Sequence, residues 1–202
     1  MSNVDQAPHA ATPKRPHWRT TLKRLGACDD ARAWAKDQAS FRAAWIACDR
    51  GDWLLWIASR VITDPAERML VVLAACDCAE TALVHVPAGE ERPRQCIETV
   101  RAWTRGEATI EQVREGRRSS YADAADAADA AAVAAAFAAA AAAAFAADAA
   151  DAAAVAAAAV AAAFAADAAA RTEHLKKLAD IVRARIPLDI VLRAFRAHQV
   201  RL

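Results

Sequence analysis

Apolar residues recur along this chain at three- and four-residue intervals, in short runs separated by Gly, Pro or a residue able to cap a helix, and nowhere in a sustained alternation that would signal a strand. Residues 1–20 show no period, mix Pro, His, Asn, Thr and Gln with cations, and predict a flexible basic N-terminal tail with Trp18 docking at its end. Beyond it, Asp30 is placed to cap a helix through Lys36 that buries Trp34. Ser40 is placed to cap the next, in which Phe41, Ala44, Trp45 and Cys48 share a face. Gly51 reads as the stop of that helix, and Asp52 as the cap of a third carrying Trp53, Trp56, Ile57 and Val61. Thr63-Asp64-Pro65 is the clearest start signal: Pro65 at the first helical position has no amide to leave unsatisfied, and Asp64 can cap. The helix it opens should run to about Val86, and its stretch from Met69 to Cys76 is apolar on every side, which predicts the centre of the fold.

Pro87, Gly89 and Pro93 mark a loop, after which Cys96, Ile97, Val100 and Trp103 form one stripe that Gly106 ends. A short helix over 107–115 then stops at Gly116. From Tyr121 to Ala170 the chain is almost entirely alanine, interrupted only by Asp, Val and Phe. Alanine loses no side-chain entropy in a helix, so local preference alone makes this tract helical. Ser120 and Asp123 read as a capping pair at its mouth, and Asp126, Asp129 and Val133 recur as Asp148, Asp151 and Val155. One straight helix through the tract would be about 75 Å long, so the pattern predicts two antiparallel helices with a turn near 146–148. Methyl faces let such helices approach to about 8 Å. The second should continue through Leu175, Leu178, Ile181 and Val182 to Pro187, and a last helix from Leu188 turns Ile190, Val191 and Phe195 inward and Arg193, Arg196 and Arg201 outward. The expectation is an all-α, compact multi-helix bundle of seven to nine helices with an alanine-rich antiparallel hairpin. Residues 21–202 form its single domain, a Trp- and Cys-containing helical core over 21–106 followed by the hairpin and C-terminal helices over 107–202.

Charge changes this picture little. With 26 basic and 25 acidic residues the net charge is +1, which argues against a surface built for nucleic acid. The apolar run at 69–76 is too short for a bilayer, and repeated Asp makes the alanine tract costly there, so no membrane span is expected. Five cysteines without a signal segment predict free thiols in a reducing cytoplasm. Cys76 and Cys78, two apart on a helix, point to different faces and make a poor metal pair. No Gly-rich phosphate loop, paired carboxylates or His-nucleophile motif stands out, so no catalytic residue, metal or cofactor is expected, and the chain does not read as an enzyme.

The most specific string is Cys48-Asp49-Arg50-Gly51-Asp52-Trp53-Leu54-Leu55-Trp56. Its Arg-Gly-Asp core could suggest adhesion, but the helix-stop and helix-cap roles of Gly51 and Asp52 account for it. Together with Leu25-Gly26-Ala27-Cys28, Ala33-Trp34, Ala44-Trp45, Cys76-Asp77-Cys78-Ala79-Glu80, Ala102-Trp103 and the alanine-rich helix that follows, it resembles the immunity proteins of the Imm5-like family of bacterial polymorphic toxin systems. The resemblance implies a small cytoplasmic protein that binds and neutralises a cognate toxin. The residues nominated for contact are Asp123, Asp126, Asp129, Asp148 and Asp151, whose carboxylates could steer a basic toxin, with Arg50 and Asp52 as exposed neighbours. The competing reading of those aspartates is structural: near helix N-termini they favour the macrodipole and keep an alanine surface solvated. The alternative function is a scaffolding helical module that self-associates through alanine-rich faces, as a homo-oligomer. An ice-binding helix lacks its regular threonines, and no sustained apolar heptads support a coiled coil.

Overall fold

The computed structural model describes residues 17–86, 88–126 and 168–201, in which the regular structure is all helical, with no strand. Nine α-helices are described: α1 (Trp18–Arg24), α2 (Asp29–Trp34), α3 (Phe41–Ala47), α4 (Gly51–Val61), α5 (Pro65–Glu80), α6 (Arg92–Thr104), α7 (Ile110–Asp126), α8 (Ala168–Arg185) and α9 (Leu188–Arg201). The all-α expectation holds. α4 and α5 occupy the middle, because they pack on each other, α8 lies across both, α9 joins α4 to α3, and α6 covers α5 with α7 against it. No described helix is long and apolar enough to cross a membrane.

The core follows the apolar register of the sequence. Leu55, Ile62, Val71, Leu178, Val182 and Ile186 are fully buried, each contributing about 1.5–3 kcal/mol of burial free energy. Phe41 of α3 and Phe195 of α9 stack with ring centroids 3.7 Å apart and planes within 12°. Ser40 caps α3 as expected, its hydroxyl accepting from the Ala43 amide at 3.1 Å, and Asp64 Oδ1 accepts from the Ala66 and Glu67 amides at 3.0 Å.

Several boundaries differ from the sequence reading, each for a local reason. α1 begins at Trp18, whose buried indole lies tilted against Phe41, so residues 18–20 of the expected tail are helical. α2 opens one residue before Asp30, with Cys28 at the cap position and no side-chain bond, and Asp29 and Asp30 complement the dipole from its first turn. α5 stops at Glu80 rather than Val86: Thr81 Oγ1 donates to the Cys78 carbonyl at 2.6 Å, and a 3-10 turn over Leu83–His85 follows. Gly106, at φ +76°, does end α6.

Gly51 and Gly116 are the clearest corrections. Neither has positive φ and neither ends a helix. Gly51 is the first residue of α4, where an added Cβ would lie 2.4 Å from Leu178 Cβ and 2.6 Å from the Ala179 amide nitrogen, so glycine is there to let α8 touch α4. Gly116 sits inside α7 against Cys96 of α6. The start of α7 comes instead from a reciprocal capping box, Thr109 Oγ1 accepting from the Gln112 amide at 3.2 Å and Gln112 Oε1 from the Thr109 amide at 2.7 Å. Ser120 consequently lies well inside α7, fully buried, and caps nothing. The turn expected near 146–148 lies outside the described residues.

Arginines complete helix ends that few glycines are available to finish. Arg183 Nη1 donates to the carbonyls of Cys48 at 2.7 Å and Trp45 at 3.3 Å, closing α3, and Arg68 Nη1 donates to the Ile62 carbonyl at 3.1 Å, closing α4. Arg19 donates to the carbonyls of Ala35, Lys36 and Gln38 at 2.7–3.0 Å after α2. A guanidinium is suited to this, since its several donors in one plane satisfy carbonyls left over at a C-terminus. A second set ties helices together: Asp77 of α5 accepts from Arg101 of α6 at 2.9 Å and from Arg185 of α8 at 2.6 Å, and Arg101 also reaches Glu80 at 2.6 Å. The Arg101 bonds hold the Glu80 carboxyl below the ordinary glutamate range.

Candidate functional site

The turn between α3 and α4 carries the string that stood out in the sequence. Arg50 precedes the first turn of α4, and its guanidinium grips Asp52 with two bonds, Nε to Oδ1 at 2.8 Å and Nη2 to Oδ2 at 2.6 Å. The same guanidinium lies 4.4 Å from the centroid of the Trp53 ring, and Trp53 in turn meets Trp34 of α2 at 6.0 Å and 59°. The Cys48 thiol donates to the Arg50 carbonyl at 3.6 Å and Gly51 presses on α8, so the turn is fixed from both sides. The hydrogen bonds that Arg50 donates to Asp52 raise its pKa above its already high value, while burial pushes the Cys48 thiol up to about 11. At neutral pH Arg50 is a cation and Cys48 a protonated thiol.

Asp52 and Arg50 were nominated as exposed neighbours, and the structure separates them. Asp52 is 4 % exposed and does not cap α4; its carboxylate is consumed by Arg50. The Arg50 side chain is 40 % exposed against 6 % for that of Asp52, so the pair presents its positive end to solvent and its negative end to the interior. This arrangement orients a cation.

A groove of about 260 Å³ opens beside the pair, lined by Cys28, Ala31, Arg50, Asp52, Trp53 and Trp56 together with Gly26 and Ala27. A smaller space of about 50 Å³ with wholly apolar walls lies among Trp18, Trp34, Phe41, Trp45, Trp53 and Trp56, and Ala27, Ala31, Trp53 and Trp56 wall both. Trp34, Trp53 and Trp56 are only half-buried, each packed on the core by one part of the ring while another part reaches the surface. Cys28 is the exposed cysteine; Cys48, Cys76, Cys78 and Cys96 are buried free thiols. Of these features the sequence reading found the string but not the groove, because Gly26–Ala31 meets it only through the packing of α2. The one available signal was the Arg-x-Asp-Trp spacing itself, which puts a cation, its partner and a ring on one turn.

The aspartates nominated for contact stand apart from this groove in the chain. Asp123 and Asp126 belong to α7, which starts at Ile110, so they lie more than three turns from its N-terminus and the macrodipole does not account for them there. Asp129, Asp148 and Asp151 lie outside the described residues. Among the histidines, His174 Nε2 faces Thr81 Oγ1 at 3.2 Å. Since that hydroxyl donates to the Cys78 carbonyl, the ring nitrogen is the donor of the pair, which joins α8 to the end of α5. Among the described residues no three His, Cys, Asp or Glu side chains gather as a metal set. No protein-family model, curated protein or solved structure matches the chain, so the likeness to Imm5-like immunity proteins rests on its own residues.

Proposed function

We propose that this chain is an immunity protein that binds a cognate bacterial toxin in the cytoplasm and neutralises it by stoichiometric steric occlusion, without chemistry of its own. The observation that supports this reading is the gathering of half-buried Trp34, Trp53 and Trp56 around the outward-facing Arg50 guanidinium. Trp and Arg are the residue types that dominate binding energy at protein interfaces, and they do so beside pockets that a partner side chain can fill. Here Asp52 and the Trp53 ring already hold Arg50, and Trp34 meets Trp53, so binding loses little side-chain entropy at these residues. In this reading Asp123, Asp126, Asp129, Asp148 and Asp151 act at longer range, attracting a basic toxin and speeding encounter at low salt.

Co-expression with the product of the adjacent gene, as the candidate toxin, tests the reading. Protection of the host and co-purification as a stoichiometric complex are expected, and Trp56→Ala should weaken that complex by about thirty-fold, a hot-spot loss of about 2 kcal/mol. Failure to protect or co-purify overturns it. Assembly of the purified chain alone into defined oligomers by light scattering would favour the scaffolding alternative.

A further inference from the structure

We infer that the groove beside Arg50 is a binding site for a small amphipathic carboxylate, its apolar body against Trp53 and Trp56 and its head on the guanidinium. This goes beyond the toxin-binding reading and stands without it. Arg50 spends Nε and Nη2 on Asp52, while its Nη1 has no partner among the described residues. An unpaired donor at the edge of an apolar groove is the arrangement that fixes one end of a ligand whose other end is held by burial.

Charge selects the head group. The guanidinium is 40 % exposed and the Asp52 side chain 6 %, so an arriving carboxylate meets the positive end of the pair. Both Asp52 oxygens are already occupied by Arg50. An ammonium head would meet the same cation with repulsion, and an alcohol would accept from the guanidinium without the attraction between opposite charges that a carboxylate adds. Size selects the body. The outer groove is about 260 Å³, and the adjoining inner space of about 50 Å³ has no polar wall, so the site fits a short alkyl chain or a single ring. Two neighbouring indoles make the occupant visible, since a chain laid against Trp53 and Trp56 changes their fluorescence.

The test uses the full natural chain, titrated with octanoate, octanol and octylammonium while tryptophan emission is followed. A saturable change with octanoate is expected, at an affinity about tenfold or more above those of octanol and octylammonium, as one charge-assisted hydrogen bond provides. Arg50→Met should remove that preference, bringing octanoate to the affinity that octanol shows in the same variant. Ala31→Leu, which fills the groove and leaves the ion pair intact, should weaken all three ligands. Equal affinity for the three in the natural chain, or no saturable response to octanoate, overturns the assignment whether or not the variants fold. Because no toxin enters the experiment, its failure leaves the immunity reading to its own test.

Discussion

Replacing Gly51 by Ala separates two physical arguments that predict opposite signs. Helix propensity alone favours the change, since Ala in a helix is better than Gly by about 0.5–1 kcal/mol, and Gly51 needs no positive φ. Packing opposes it. The new Cβ would lie 2.4 Å from Leu178 Cβ, 2.6 Å from the Ala179 nitrogen and 2.6 Å from the Leu178 carbonyl carbon, none of which can rotate away. Reaching ordinary carbon contact of about 3.5 Å requires α4 and α8 to part by roughly 1 Å. That loosens Leu55, Val182 and their neighbours, and overpacking of this kind costs about 1–3 kcal/mol or more. The net expectation is a loss of about 2 kcal/mol, lowering Tm by about 4–8 °C for a chain of this size. Gly116→Ala is the control, because its Cβ would meet Cys96 Cα and Sγ at 3.5 Å, an ordinary contact, inside α7. It should gain about 0.5–1 kcal/mol. Far-UV circular dichroism during thermal and urea unfolding reads both. An unchanged or raised Tm for Gly51→Ala would refute the close α4–α8 contact on which the placement of Arg50 depends.

Other expectations use the same geometry. Burial raises the Cys48 and Cys96 thiols to about 11 and Cys76 to about 12, and raises Cys78 as well, so the unfolded chain releases these protons first, from about pH 9 upward. Stability is therefore intact below pH 9 and falls as pH rises toward the folded values; each buried thiol costs about 1.4 kcal/mol at pH 10, and Cys76→Ala should shallow the alkaline slope in urea titrations. A thiol reagent should label Cys28 alone in the native protein and all five cysteines in denaturant, whereas native labelling of a second site would contradict the burial of Cys48, Cys76, Cys78 and Cys96. Phe195→Ala removes the ring stacked on Phe41 and should lower unfolding free energy by about 3–5 kcal/mol, measured by urea denaturation.

Where the sequence carried two agreeing signals, the structure followed it. Asp64 with Pro65, Ser40 with Phe41 and Trp45, and Leu178 with Val182 before Pro187 each combine a cap or breaker with an apolar period, and the first two helices start, and the third ends, where that combination puts them. Single-residue signals failed where packing had another use for the residue. Gly51 and Gly116 look like stops only because close approach of two helices leaves no trace at one position, and the residues they touch, Leu178 and Cys96, are distant in the chain. Ser120 looked like a cap, yet the opening of α7 was written in Thr109 and Gln112, eleven and eight residues earlier. The candidate site was legible as a string and not as a shape. Arg50, Asp52 and Trp53 are adjacent in sequence, but the burial of Asp52 and the groove toward Cys28 and Ala31 arise from the docking of α2 and α8, which no local pattern encodes.

The orientation of Arg50 and the exposed parts of Trp53 and Trp56 form the claim on which the functional account turns, and calorimetry tests it most directly. Titrating the product of the adjacent gene, the candidate toxin under the proposed function, into the natural chain and into Arg50→Ala, Trp56→Ala and the double variant gives their coupling. The account predicts a one-to-one complex, a loss of about thirty-fold or more for each single variant, and a double variant weaker than either, with native circular dichroism throughout. Undiminished affinity in the folded double variant would place the contact on another face and contradict it.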